Sequence, residues 1–94
     1  MCWIYDIPST MPTIAIVDGV RIMIFANDHA PPHFHAKYAE YEALISIASG
    51  DILEGSLPPA KLRAVLRWFE PGRAHVAFVW TEIRRHRYRG GLIS

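Results

Sequence analysis

Apolar and polar positions along this chain change period partway through. From Thr13 to about Ile47 they come in short β-branched blocks or alternate one by one; from Pro58 onward they recur every three to four residues. Thr13-Ile14-Ala15-Ile16-Val17 is a β-branched run. Asp18-Gly19 follows it, a dipeptide that tolerates positive φ at both positions and so suits a two-residue hairpin turn. Val20–Phe25 then reads as the return strand. Both faces of this first hairpin are largely apolar, so one should meet helices and the other a loop or a partner subunit.

The second hairpin is predicted in more detail. His33–Tyr38 and Tyr41–Ile47 flank Ala39-Glu40. A two-residue turn there sets Tyr38 opposite Tyr41, Lys37 opposite Glu42, His35 opposite Leu44 and His33 opposite Ser46. Side chains alternate between faces. Phe34, Ala36, Tyr38, Tyr41, Ala43, Ile45 and Ile47 form an apolar face that belongs to the core. His33, His35, Lys37, Glu42, Leu44 and Ser46 form a polar face, with a Lys37–Glu42 cross-strand pair. Ser49-Gly50-Asp51 turns the chain, and Ile52-Leu53-Glu54 offers a short further strand.

Pro58-Pro59 suits the first turn of a helix. Leu62, Val65, Leu66 and Phe69 then fall on one helical stripe, and Pro71-Gly72 ends it. A second helix is predicted from about Ala74 to Arg87, with Val76, Val79, Trp80 and Ile83 as its stripe. Strands followed by helices indicate an α+β fold: an antiparallel sheet of four to five strands, built from two hairpins, then two amphipathic helices packed on one face. Residues 11–94 form the single domain, and Met1–Thr10 an N-terminal appendage.

Composition narrows the class. The chain has 94 residues, room for one domain; 51% are hydrophobic and 20% charged, a globular balance rather than a disordered one. No apolar run approaches the ~20 residues that span a bilayer. The first residues lack a basic stretch followed by a long apolar one, so no secretory signal is expected. The single cysteine, Cys2, has no internal partner, which suits a reducing compartment; a cytoplasmic protein is expected.

Chemistry concentrates in one segment. Asp28, His29, His33 and His35 lie within eight residues and hold three of the five histidines. His33 and His35, two apart on a strand, present their rings to the same side, and His29 sits in the loop leading to them. Such a set can supply three ligands to an open metal site, zinc or a similar divalent ion on His29, His33 and His35. It can equally act as general acid and base, since imidazole titrates near neutrality. In ribonucleolytic chemistry two such groups activate a hydroxyl and protonate the leaving oxygen. A structural role, with the histidines hydrogen-bonding the loop, is the third alternative.

A second feature is basic. The net charge is only +1, yet Arg84, Arg85, Arg87 and Arg89 crowd the C-terminus around His86 and Tyr88. Cations at a helix end complement its dipole, and a cluster of this kind also fits RNA, DNA or an acidic partner. Trp68 and Trp80 read as packing residues, Glu82 with His75 and His86 as surface groups, and Cys2 lacks a neighbouring base. There is no Gly-rich phosphate loop and no Cys-x-x-Cys pair.

Met11-Pro12-Thr13-Ile14, Asn27-Asp28-His29-Ala30-Pro31-Pro32-His33-Phe34-His35, Tyr41-Glu42-Ala43, Gly50, Leu53-Glu54-Gly55 and Leu57-Pro58 together resemble the bacterial family called domain of unknown function 4160. The Asn-Asp-His-x-Pro-Pro-His-Phe-His string is the specific part, Trp68 and Trp80 add to it, and the likeness runs from Met11 to about Ile83. Such proteins usually begin at the position of Met11, which makes Met1–Thr10 an extension or the product of an upstream start. The Arg84–Arg89 cluster departs from the more acidic helix end of the family. The resemblance implies a component of a toxin–antitoxin-like gene pair, hence a small protein partner and an RNA target; it identifies no catalytic residues. The expectation is therefore a partner-binding component with His-dependent ribonuclease activity at Asp28, His29, His33 and His35, against a non-catalytic metal-binding or nucleic-acid-binding regulatory domain. Self-association is compatible with either.

Overall fold

The first hairpin closes through Asp18 and Gly19, both at positive φ (51° and 81°), as the Asp-Gly pair requires. It joins β1 (Thr13–Val17) to β2 (Val20–Met23). These come from a computed structural model, which describes residues 13–25 and 29–85. The expected appendage, Met1–Thr10, lies outside them. β2 ends at Met23, two residues before the expected end at Phe25. A bulge between Thr13 and Ala15 turns both Ile14 and Ala15 inward, and neither has any exposed surface.

β3 (His33–Tyr38) and β4 (Tyr41–Ser46) form the second hairpin. Its register is the one the turn dictates: Tyr38 faces Tyr41, Lys37 faces Glu42, His35 faces Leu44 and His33 faces Ser46. β5 (Ile52–Ser56) pairs with β4, and the antiparallel sheet runs in sequence order from β1 to β5. β5 is an exposed edge strand. It lies against β4 where Gly55, at φ 80°, faces Ala43. A Cβ on Gly55 would stand 2.0 Å from the Glu42 carbonyl oxygen, so only glycine permits this approach.

α1 (Pro59–Phe69) begins at the predicted prolines, and α2 (Arg73–Arg84) follows the Pro71-Gly72 break. The α2 stripe of Val76, Val79, Trp80 and Ile83 is buried. From α1, Val65 and Phe69 are fully buried, while Leu62 and Leu66 pack at the margin of the core. Both helices contribute to one hydrophobic cluster with Ile22, Ile24, Phe34, Ala36, Ala43 and Ile45. Phe34 is its centre: its ring lies 5.3 Å from Phe69 and 6.1 Å, edge-on, from Trp68. The chain is thus an α+β fold with both helices over one face of a five-stranded sheet. No helix among the described residues is long and apolar enough to cross a membrane.

Two glycines at positive φ separate strain from close approach. Gly19 has only Tyr38 nearby, 3.7 Å from an added Cβ. Gly19→Ala should therefore cost ~1–2 kcal/mol, the backbone strain alone. Gly55→Ala adds a collision with main chain and should cost at least ~3 kcal/mol. Urea unfolding of the two variants checks this, and equal losses would contradict the close approach of β5.

Candidate functional site: the histidine row beneath the sheet

Period-2 alternation puts His33, His35 and Lys37 on the face opposite Phe34, and pairing adds Met23, Arg21, Glu42, Leu44, Ser46 and Glu54 to that same face. The face is polar as expected at Lys37 and Glu42, and Arg21 and Glu54 extend it; all four are exposed. It is not open at the histidines. His33 and His35 are each only 7% exposed, so truncating either removes buried surface, contrary to the expectation for a solvated polar face. Aromatic neighbours account for much of this. Phe25 lies 4.2 Å from the His35 ring, His35 lies 5.2 Å from His33, and Trp80 of α2 lies 5.4 Å from His33. Four rings therefore run in a continuous row from the end of β2 to the helix layer.

Both imidazoles are oriented by acceptors. His33 donates from Nδ1 to the Pro31 carbonyl at 2.8 Å, and His35 donates from Nδ1 to Oε2 of Glu42 at 3.1 Å. A carbonyl and a carboxylate only accept, so the neutral rings carry their proton on Nδ1 and their lone pair on Nε2. This is the arrangement in which a second group fixes the tautomer of a working histidine. Glu42 therefore pairs with His35, and the Lys37–Glu42 ion pair expected from direct opposition does not form. Glu42 is the diagonal neighbour of His35 in the register, and that relation was available in the sequence.

His35 and Glu42 also line an open pocket of about 360 Å³ with Leu44, Glu54 and Gly55. Glu54 faces Leu44 across the β4–β5 pair, which places it in the cross-strand row of His35. Only the short strand of Ile52-Leu53-Glu54 hinted at it, because its position depends on the bulge between Leu44 and Ile45.

The other candidates separate. His29 is exposed in the loop before β3. Among the described residues no three His, Cys, Asp or Glu side chains gather so as to hold a metal ion, so the His29, His33 and His35 ligand set is not assembled there. Asp28 lies outside the described residues, as do Arg87 and Arg89. Arg84 and Arg85 are exposed at the end of α2. Arg84 stacks over Trp80, 5.2 Å from the ring centre, and Trp80 is the ring that meets His33. The arginine end of the sequence and its histidine segment are thus two contacts apart, a proximity no local pattern reveals.

The model of the family described as domain of unknown function (DUF4160) matches residues 19–81, more than half of the chain, and the chain belongs to that family. No curated protein and no solved structure matches it.

Burial gives both histidines a stability role whatever their chemistry. His33→Ala and His35→Ala should each lower stability by ~1–3 kcal/mol, since each leaves an acceptor without its donor. In a domain of this size the melting temperature falls by several degrees. Proton–nitrogen correlation spectra of the neutral rings should show the Nδ1–H tautomer at both residues; an Nε2–H tautomer at His35 would refute the Glu42 contact.

Proposed function

We propose that this member of the domain of unknown function 4160 family is the small component of a toxin–antitoxin-like pair, one that binds a small protein partner and cleaves RNA through His33 and His35 in the cytoplasm. The observation that carries the proposal is the single row Glu42–His35–His33–Trp80–Arg84, in which oriented imidazoles and an arginine share one end of the molecule.

The chemistry needs two proton carriers and a positive surround. His35, oriented by Glu42, takes the proton of a ribose 2′-hydroxyl as that oxygen attacks phosphorus. His33, entering the step as the imidazolium with Nδ1 still donating to the Pro31 carbonyl, gives its Nε2 proton to the departing 5′ oxygen. The products are a 2′,3′-cyclic phosphate and a free 5′-hydroxyl, and atoms balance without a further reactant. Exposed Arg21 and Lys37, paired across β2 and β3 on the same face, supply charge for the flanking phosphates. Glu54 repels phosphate on the far side of Leu44, which favours entry of the strand from the Arg21–Lys37 side. Asp28 and His29 are carried as further candidates from the same motif, and Arg84, Arg85, Arg87 and Arg89 as its nucleic-acid contacts.

The test uses stability-matched conditions, because both histidines are buried. Purified protein is incubated with single-stranded RNA, and growth is followed on induced expression. His35→Gln and Glu42→Gln are measured as folded fractions at a temperature below their melting points. His35→Gln should lower cleavage by about 10²–10⁴-fold and relieve growth inhibition. RNA binding without cleavage, unchanged in His35→Gln, would replace this reading with the non-catalytic regulatory one.

A further inference from the structure

The pocket that His35 shares with Glu42, Leu44, Glu54 and Gly55, about 360 Å³, has the size of a small-molecule site, ~300–1,000 Å³. Its chemistry is one-sided. Leu44 is apolar, Gly55 has no side chain, and Glu42 holds the Nδ1–H of His35. Glu54 has no hydrogen-bond or ion-pair partner among the described residues. An ionised carboxylate only accepts, so a ligand that answers Glu54 must donate. On the same face of the sheet, Arg21 and Lys37 stand directly opposite each other across β2 and β3. Like charges so placed oppose the pairing, and neither has an ion-pair partner among the described residues. An anion laid across them relieves that repulsion. Lys37 and Glu54 are two strands and two residues apart, roughly 12 Å at the backbone by strand spacing. One face thus sets a demand for donors and a demand for an anion about one nucleotide apart.

We infer that this pocket takes a guanine base of an RNA strand: N1–H and the N2 amino group donate to the Glu54 carboxylate, Leu44 lies under the base, and the phosphate 5′ to it rests on Arg21 and Lys37. The exposed edge of an unpaired base is what a protein reads in single-stranded RNA. Guanine alone sets two donors side by side on that edge, one for each carboxylate oxygen. Adenine and cytosine each offer one amino donor beside a ring acceptor that a carboxylate repels, and uracil offers one N–H between two carbonyls. A guanidinium from a protein also matches Glu54, but it leaves Arg21 and Lys37 unrelieved and is repelled by them. Free phosphate does the reverse. A guanosine nucleotide answers both groups at the span they set, past a Glu42 carboxylate that His35 already engages. In the proposed reaction His35 takes the proton of the 2′-hydroxyl. The base beside it therefore belongs to the nucleotide that carries this hydroxyl, and the cut falls on the 3′ side of guanosine. This rests on the reading of the chain as one that engages RNA, but recognition of the base does not require cleavage.

The experiment is fluorescence anisotropy with labelled oligodeoxyuridylates, each carrying one central guanine, hypoxanthine, adenine or cytosine. Without 2′-hydroxyls none can be cleaved, so binding is read by itself. The guanine probe should bind about tenfold or more tighter than the adenine and cytosine probes, with hypoxanthine, which lacks the N2 amino group, between them. Glu54→Gln should remove most of that preference and leave the melting temperature unchanged, since Glu54 is exposed. Lys37→Gln should weaken all four probes alike and flatten their salt dependence. Cleavage of the matching oligoribonucleotides is measured separately. Guanine preference without cleavage upholds this inference and removes the ribonuclease reading; cleavage indifferent to guanine does the reverse. The inference is overturned by equal binding of the four probes, by no saturable binding, or by a guanine preference that survives in Glu54→Gln. It is also overturned if an arginine peptide binds in a Glu54-dependent way and the guanine probe does not.

Discussion

The two-residue turn at Ala39-Glu40 fixes the pairing of β3 with β4, and the rest of the molecule depends on that pairing. With Tyr38 against Tyr41, Phe34, Ala36, Ala43 and Ile45 share the face that joins the core with the helices, and both histidines fall on the other face with Leu44. A slip of one residue would exchange the faces, exposing Phe34 and setting His33 and His35 against Val65 and Phe69. Phe34 alone makes that slip expensive: losing a buried phenylalanine costs ~3–5 kcal/mol, a large part of the stability of a small domain. The site therefore inherits its precision from the core. The same pairing offers β4 to β5, and Gly55 admits β5 closely enough to bring Glu54 into the row of His35.

Two buried imidazoles are a cost unless their polar atoms find partners. Here Pro31 and Glu42 accept from Nδ1, and the ring faces lie against Phe25 and Trp80. Aromatic stacking protects what a polar surface would leave mobile, and an imidazolium formed at His35 would face the Phe25 ring favourably. The arrangement couples two properties that mutational work often treats as separate. The groups that orient the histidines are also the groups whose loss destabilises the domain, so activity lost in an alanine variant says little until the folded fraction is known.

Local pattern was sufficient for the fold because each element announces itself within a few residues. The Asp18-Gly19 turn, the alternation of β3 and β4, the stripe from Leu62 to Phe69 and the Pro71-Gly72 break are all short-range signals. Boundaries were less legible: β2 stops at Met23 and β5 extends to Ser56. The histidine pair was legible as a pair, since two residues apart on a strand means one side. Its burial was not, because Phe25 and Trp80 reach it from separate elements. Opposition alone favoured Lys37 for Glu42, whereas the diagonal contact with His35 won. Arg84 joined the site only through Trp80, which depends on how α2 lies across the end of β3.

Charge is divided between the layers as sharply as hydrophobicity is. Among the described residues of the strands and their turns, Asp18, Glu40, Glu42, Asp51 and Glu54 outnumber Arg21 and Lys37. From Pro59 to Arg85 the balance reverses: Lys61, Arg63, Arg67, Arg73, Arg84 and Arg85 outnumber Glu70 and Glu82. One contact between the layers uses this division directly, Lys61 of α1 reaching the carboxylate and the carbonyl of Asp18 at 3.2 and 2.9 Å. Elsewhere the opposed charges face outward. Among the described residues the field of the helix layer is therefore positive and that of the sheet layer negative. The carboxylates of Glu42 and Glu54 discourage the approach of phosphate across the far edge of the sheet. The histidine row lies where these two fields meet, with Arg84 at one end and Glu42 at the other.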